Sequence, residues 1–500
     1  MTSSRSADPL PLRDLLDALG AGARLLPYDG ADAGAVRIAD VTHDSREAGP
    51  GVLFACRPGR RTDGHDHAPQ AVAAGSPALL VERQLDVPAP QVLVSSVAGA
   101  LGPAAAAVHA DPSSELTLLG ITGTNGKTTT AYLLESVLQA AGHTVGLIGT
   151  VETRIAGNRI PGVRTTPEAT DLQRLLRRMR VAGVTAGAME VSSHGLTLGR
   201  VNGTSFRAAL FTNLTQDHLD FHADMEDYYA AKRSLFGGVY TSTAVVNVDD
   251  PYGARLADEV AVEVVRVSIA DAPQADVRAT DVRADAAGAT FTAVLRTGSV
   301  HVAIRLPGMF NVANALLALA AAEAVGIDPT VAAAGLAACT GVPGRMERVD
   351  GGQSFAVLVD YAHTPDSLAN VLRTVREVAA GRIVVVVGCG GDRDAGKRPL
   401  MGAVAVEGAD EAIFTSDNPR SEDPQSIVDA IVAGAREVPG SSFRVELDRR
   451  AAIASALRGA GPADVVVIAG KGHESTQEFA DRTIPFDDRQ VAAELLAGAA

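Results

Sequence analysis

Tryptophan is absent from this 500-residue chain, aromatic residues make up 4%, and only three cysteines and four lysines occur. Cys56, Cys339 and Cys389 stand far apart, which excludes a disulfide framework and a cysteine-based metal site. No run of about 18 apolar residues appears, and the opening string MTSSRSADPLPLRDLL lacks the apolar core of a secretory signal. A soluble, cytoplasmic protein without membrane insertion is expected. Positive charge is also in deficit: the net charge of −15 leaves no basic face to collect the phosphates of a nucleic acid. Local arginine clusters can still hold small anions. The hydrophobic share of 46% and charged share of 21% are those of a globular protein. A chain of this length exceeds one core, so roughly two to four domains are expected, with three as the central figure.

Scarcity of lysine is the most informative deficit. The four are Lys127, Lys232, Lys397 and Lys471, and every other basic residue is arginine. Arginine cannot replace lysine where chemistry needs a compact ammonium or an amine that can lose its proton. Three of the four lie in glycine-rich strings, GTNGKTT, GDRDAGKRP and AGKGHES, and the fourth follows a His- and Asp-rich stretch, in YYAAKRSLF. Chance survival on the surface would explain any one of them. Together they outline a candidate active site.

The chain divides at turn-rich breaks. Short apolar runs and Gly, Asp and His turns over the first 110 or so residues suggest a small α/β domain. A polar break at 111–114 precedes the strand pattern ELTLLGIT, a glycine loop, the helix pattern AYLLESVLQAAG and the strand pattern TVGLIGT, which is a parallel βαβ unit. A second break, GVPGRMERVDGG at 341–352, opens a third segment with near-continuous Val/Ile strands: SFAVLVDY, RIVVVVG, EAIFTS and DVVVIAG. The expected fold is α/β with three domains, at 1–112, 113–343 and 344–500. The central one holds a P-loop-type parallel sheet, and the last is a Rossmann-like doubly wound sheet with functional residues at strand carboxyl ends.

Gly123, Thr124, Asn125, Gly126, Lys127, Thr128 and Thr129 lie between a strand and a helix. There, glycines let backbone N–H groups turn around an anion, and the helix terminus adds its dipole. Lys127 would reach the β- and γ-phosphates, and Thr128 would ligate Mg²⁺. The first glycine of a full Walker A loop would stand at 121, which is Ile, so the loop departs from motor and GTPase families. Glu190, in AMEVSSHGL, is either a second Mg²⁺ anchor or a surface carboxylate. Lys232 follows NLTQDHLDFH. As a neutral amine it could take up CO₂ to form an anionic carbamate; otherwise it pairs with a phosphate or an acidic neighbour.

These strings, with LPGMFNVANALLA, VPGRMERV, DYAHTPDSL, GCGGDRDAGKRP, DNPRSEDP and GKGHES, occur in order over about residues 43 to 475. The set closely resembles the Mur ligase family, in its branch that adds meso-2,6-diaminopimelate. The resemblance implies ATP and Mg²⁺, three domains for the UDP-sugar peptide, ATP and the incoming amino acid, and a monomer working on small-molecule substrates. It also implies a reaction in peptidoglycan precursor synthesis: ATP phosphorylates the D-Glu side-chain carboxylate of UDP-N-acetylmuramoyl-L-Ala-D-Glu, and the amine of diaminopimelate attacks the acyl phosphate.

Carried over residue by residue, Lys127 would hold the γ-phosphate, with Thr128 and Glu190 on one Mg²⁺ and His218 and N6-carboxylated Lys232 serving a second. Asn311 would face adenine, with Arg345 and Asp360 near the ribose and phosphates, and His363 as a further nucleotide contact. Ser45, Thr165, Thr166, Ser192 and Arg200 match UDP-sugar-peptide positions, although isolated hydroxyl residues are commonly caps. Two positions depart from the family pattern: His67 stands where an aromatic or apolar residue is frequent, and Leu198 where some relatives carry Gln.

Asp417, Asn418, Pro419 and Arg420 follow EAIFTS. A guanidinium fork is the natural partner for the distal carboxylate that distinguishes diaminopimelate from lysine. A surface Arg beside Glu422 and Asp423 is the plainer alternative. In the family, DNPR accompanies diaminopimelate, with Arg393, Gly470 and Glu474 completing the pocket. The rivals within the superfamily are lysine-adding and D-Ala-D-Ala-adding ligases and folylpolyglutamate synthase. A non-catalytic nucleotide-binding scaffold would have no use for Lys127, Glu190, His218 and Lys232 together, and charge disfavours a nucleic-acid-dependent ATPase.

Overall fold

The computed structural model describes residues 8–498, apart from 28–31, 60–61, 161–163, 271, 273 and 286–287. The first sheet has five strands in the order Ala23–Leu25, Gln91–Val94, Leu79–Val81, Val52–Ala55, Asp40–Thr42, parallel except at its first pair. Helix Val97–Val108 packs on it through Val97, Leu101, Ala104, Ala105 and Val108. This is the small α/β unit expected from the sequence.

The second sheet has a parallel centre: Val145–Ile148, Ala186–Glu190, Thr117–Thr122, Ala208–Phe211, Thr243–Asn247 and Glu263–Ser268. Strand Thr117–Thr122 is buried on both faces from Leu118 onward, so the phosphate loop leaves from the middle of the sheet. The helix that follows spans Lys127–Ala140, one turn longer at its start than its apolar pattern alone indicates. Gly126, at φ +87°, makes the turn that lets it begin at Lys127. As expected, Leu133, Leu134, Val137 and Leu138 are buried.

Eleven strands form this sheet rather than a purely parallel set, because antiparallel strands extend both edges. Thr153–Ile155 and Asn158–Ile160 fold back at one edge; at the other, Val277–Asp285 still pairs parallel with Glu263–Ser268, and Gly288–Leu295 and Gly298–Ile304 then fold back on it as an antiparallel meander. The physical reason is connection length. A strand that turns straight back can only pair antiparallel, whereas parallel pairing needs a long crossover.

The third sheet has the order Glu347–Arg348, Ala356–Asp360, Val465–Ala469, Ile383–Val387, Glu411–Phe414, Phe443–Val445, parallel except at its first strand. Val385, Val387 and Val467 pack into one core, while Val384, Val386, Val466 and Ile468 pack into another on the opposite face. That is the doubly wound arrangement the Val/Ile runs predict. Asp360, Gly388, Thr415 and Gly470 therefore emerge at one rim, the carboxyl ends of four neighbouring strands. No helix among the described residues is long and apolar enough to cross a membrane.

Candidate functional site

Glycine is required at the head of the phosphate loop. Gly123 has φ +145°, and a Cβ there would lie 1.9 Å from Thr212 Oγ1. Its carbonyl accepts from Lys127 Nζ at 2.9 Å and from Lys232 Nζ at 2.8 Å; Lys127 also donates to Thr124 O at 2.8 Å. Lys232 is buried and lies over the Tyr228 ring, 4.5 Å from its centroid. Desolvation, then the neighbouring charge of Lys127, pushes the Lys232 ammonium well below its ordinary pKa. Desolvation lowers Lys127 as well.

Glu190 ends strand Ala186–Glu190 and is 1% exposed, so it is no surface carboxylate. Its Oε2 accepts from Thr128 Oγ1 at 3.1 Å and Thr150 Oγ1 at 2.9 Å, and its Oε1 accepts from Thr150 N at 2.8 Å. Arg345 donates to Thr128 Oγ1 at 3.2 Å across the boundary between the second and third sheets. Carboxylate and hydroxyl oxygens set against a phosphate loop are a hard donor set that suits Mg²⁺. Among the described residues, no group of three or more His, Cys, Asp and Glu converges as a metal site.

Asp217 is the residue that sequence reasoning passed over. It is 4% exposed and receives Lys397 Nζ at 3.2 Å, with His218 Nε2 and His363 Nε2 each 3.6 Å from Oδ2. Burial pushes its pKa up, but the His363 and His218 rings and the Lys397 ammonium gathered around it outweigh that and hold it well below the usual carboxylate range. Lys397 and His363 belong to the last sheet region, so Asp217 ties the two larger units together. The available signal was its place beside His218, combined with the scarcity that already marked Lys397. Desolvation lowers His218 to about 3, and the residue sits at φ +57°.

Between these units lies a cavity of about 450 Å³, lined by Asn125, Gly126, Thr128, Thr129, Asn311, Asn314, Arg345 and Asp360 among others. Asn311 donates to Pro307 O at 2.8 Å and accepts from Asn314 Nδ2 at 3.3 Å. The Arg345 guanidinium lies over the Tyr361 ring at 4.5 Å. Asp360 accepts from Met346 N at 2.7 Å, and burial raises its pKa. His363 points elsewhere: its Nδ1 meets Tyr361 O at 2.8 Å and its Nε2 faces Asp217.

At the rim of the third sheet, Lys471 Nζ donates to Asn418 Oδ1 at 2.9 Å and Glu474 Oε2 at 3.2 Å, and Asn418 Nδ2 donates to the same Glu474 oxygen at 2.7 Å. Gly470, at φ +112°, leaves room for Asp417, whose Oδ2 would lie 2.6 Å from an added Cβ. Arg420 has φ +51°; its Nε donates to Glu478 Oε2 at 3.0 Å and its Nη1 to Gly391 O at 2.8 Å. The partners of this Arg are thus Glu478 and a backbone carbonyl rather than Glu422 or Asp423. Arg393 is exposed and donates to Asp392 O at 3.0 Å. It flanks Gly390 together with Arg420.

Of the hydroxyls, Thr165 Oγ1 meets Thr150 Oγ1 at 3.0 Å, and Thr166 Oγ1 meets Ser192 Oγ at 3.1 Å and Glu190 O at 3.1 Å. Ser192 also caps helix Ser193–Thr197 by accepting from Gly195 N at 3.0 Å, the bland role open to any isolated Ser. Arg200 donates to Thr166 O at 3.4 Å and pairs with Glu168 at 2.9 Å. Ser45 opens the 3₁₀ turn Ser45–Glu47 at the edge of the first sheet, half-buried and apart from this cluster in the chain. His67 is half-buried at the start of helix Ala68–Ala73, and Leu198 ends helix Ser193–Thr197.

A phosphate loop faces a doubly wound sheet across a nucleotide-sized cavity, with buried lysines on both sides, an arrangement suited to a nucleotide-dependent enzyme. Three family descriptions match in order: "Mur ligase family, catalytic domain" at 37–111, "Mur ligase middle domain" at 121–322, and "Mur ligase, glutamate ligase domain" at 344–472. The UDP-N-acetylmuramoyl-L-alanyl-D-glutamate–2,6-diaminopimelate ligase of Streptomyces coelicolor is 48% identical over 496 residues, covering 97% of this chain and 96% of the relative. The ligase of the same name from Bacillus cereus is 44% identical over 468 residues, covering 92% and 94%. A solved structure of a ligase of that name aligns with TM-score 0.71 at 33% identity over 98% of this chain and 99% of its own. The MurF ligase of Thermotoga maritima, solved with ADP, shares the fold at TM-score 0.62 and 18% identity over 92% and 97% of the two chains. This chain belongs to the Mur ligase family.

Proposed function

We propose that this chain is an ATP-dependent, ADP-forming ligase. It joins meso-2,6-diaminopimelate to the D-Glu side-chain carboxylate of UDP-N-acetylmuramoyl-L-Ala-D-Glu in cytoplasmic peptidoglycan precursor synthesis. Residues 1–112 take the UDP-sugar, 113–343 take ATP, and 344–500 take the amino acid. The observation that carries the reading is that the phosphate loop of the second unit and Arg345 and Asp360 of the third line one cavity, while Lys397 of the third unit reaches Asp217 of the second.

A carboxylate is a poor acyl donor, and phosphorylation gives it a leaving group. The residues here serve that step by position and charge. Backbone N–H groups of the loop surround the β- and γ-phosphates. Lys127 exchanges the carbonyls of Gly123 and Thr124 for phosphate oxygens, and Arg345 adds a second cation. Asn311 holds the base. Mg²⁺, held by Thr128 and Glu190, with His218 and a carboxylated Lys232 at a second site, would neutralise phosphate oxygens.

Lys232 is suited to carboxylation because its buried site favours the free amine. The amine lone pair bonds the carbon of CO₂ and the nitrogen loses one proton, which gives a carbamate whose single negative charge is shared by two oxygens. Glu474, Asn418 and Arg420 bind the amino acid, and attack of its free amine on the acyl carbon releases inorganic phosphate.

The route is tested with substrate carrying ¹⁸O in the D-Glu side-chain carboxylate. Label should appear in inorganic phosphate. Label wholly absent from phosphate, or AMP as the product, overturns the acyl-phosphate route.

A further inference from the structure

Glu168 stands first before helix Ala169–Val181, in the N-cap position, yet its side chain makes no capping hydrogen bond. It is instead surrounded by arginines. Arg57 Nη1 from the first sheet region lies 3.1 Å from Oε2; Arg200 Nη2 lies 2.9 Å from Oε1, and Arg164 pairs with the same Oε1. The Glu168 side chain is 14% exposed, and those of Arg57 and Arg200 are 21% and 13% exposed. A helix start normally rewards a side chain that satisfies its own N–H groups. Here that gain is forgone, and one carboxylate serves three guanidiniums drawn from two structural units.

The cluster is also unbalanced. One carboxylate cannot neutralise three cations, and the nearby Asp44 and Asp171 already pair with Arg46 and Arg174. Two buried donor-type atoms, Arg200 Nε and His43 Nδ1, have no hydrogen-bond partner among the described residues. His43 belongs to the first sheet region and senses both Glu168 and Arg57. Surplus positive charge with orphaned buried nitrogens marks a place whose remaining acceptor comes from outside the chain.

We propose that Glu168 is a positioning residue: it fixes Arg57 of the first unit against Arg164 and Arg200 of the second, so that the guanidiniums present one anion-binding face to the UDP-sugar peptide. The identity of that ligand rests on the function proposed above; the fixing of Arg57 does not. Glu168 acts through the arginines and touches no reacting atom, so it affects capture of this one substrate and not the chemical step.

The test compares Glu168→Gln, Glu168→Asp and Arg57→Gln with the parent chain. Glu168→Gln should raise KM for UDP-N-acetylmuramoyl-L-Ala-D-Glu about ten- to thirtyfold, as expected for loss of charge-assisted contacts. KM for ATP and kcat should stay within about twofold, and Glu168→Asp should recover part of the loss. Arg57→Gln should raise the same KM, and the double variant should be no worse than the poorer single one, because both changes break one linkage. An unchanged or lowered KM in Glu168→Gln, or additive effects in the double variant, overturns the proposal. Hydrogen exchange in the free protein reads the linkage without substrate: amides at 45–57 should exchange faster in Glu168→Gln, and unchanged exchange there also overturns it. Should the parent chain fail to ligate this UDP-sugar peptide while the exchange difference is present, the substrate reading falls and the linkage stands.

Discussion

Replacing Arg420 with Ala and, separately, with Gly tests substrate choice most directly. The guanidinium is held before any ligand arrives: Nε is on Glu478, Nη1 is on Gly391 O, and the backbone N donates to Glu478 O at 3.0 Å. The ordering penalty of a long side chain is thus already met in the free protein. A charge-assisted hydrogen bond to a distal carboxylate is worth about 1.5–3 kcal/mol, and each 1.4 kcal/mol is about tenfold. Both variants should lose about ten- to 150-fold in kcat/KM for meso-diaminopimelate. L-lysine has no distal carboxylate, so its slow rate should fall only a few-fold.

The two replacements differ in one respect. Arg420 sits at φ +51°, a left-handed conformation that costs a side-chain-bearing residue about 1–2 kcal/mol and Gly almost nothing. Gly should therefore be the more stable variant by about 1 kcal/mol while losing as much activity as Ala, which separates the fork from backbone strain. Arg420→Lys should recover part of the rate, since it keeps the charge without the fork. The assay is initial rate of ligation with each amino acid at saturating ATP. Equal losses on both substrates, or a parent enzyme that prefers L-lysine, would refute the reasoning.

Lys232→Ala should abolish ligation while ATP still binds by calorimetry, and short-chain carboxylic acids should restore part of the rate; an active Ala variant sinks the carbamate. Arg449 and Asp488 form a pair at 2.7–2.8 Å, both side chains 0% exposed. Arg449→Ala should cost about 3–5 kcal/mol in urea unfolding, and an apolar pair at both positions should restore most of it. Desolvation lowers His194 to about 4. The unfolded chain therefore takes this proton first as pH falls below about 6.5, and stability is lost between there and pH 4. His194→Gln should remove that loss, about 1–2 kcal/mol after allowing for partial exposure, seen as a flatter stability-versus-pH curve over the same window.

Much of the architecture was legible because buried strands and phosphate loops leave local marks. Ile383–Val387 is five consecutive buried Val and Ile residues, and it could only be a central strand. The loop at 123–129 carries its own glycines, one of which steric contact makes obligatory. The meander at 277–304 does show period-two burial, but its weak apolar content hid it beside stronger runs. Asp217 and Glu168 were less legible for a different reason. A carboxylate that gathers cations from other parts of the fold has no local signature: Lys397 lies 180 positions from Asp217, and Arg57 lies 111 from Glu168. Thr150 is hidden in the same way, since its bonds to Glu190 span 40 positions.

Burial of the lysines has a practical corollary. Lys232, Lys397 and Lys471 are 1%, 6% and 0% exposed, and Lys127 is only partly so. Reagents that acylate amines, whether for biotinylation, fluorescent tagging or cross-linking, thus find almost no purchase on the native surface. Their main side-chain target is an ammonium that a bound nucleotide would shield. Arginine-directed dicarbonyls, or cysteine installed by mutation, are the better handles for attaching a probe to this chain, and protection of Lys127 from acylation becomes a direct readout of nucleotide occupancy.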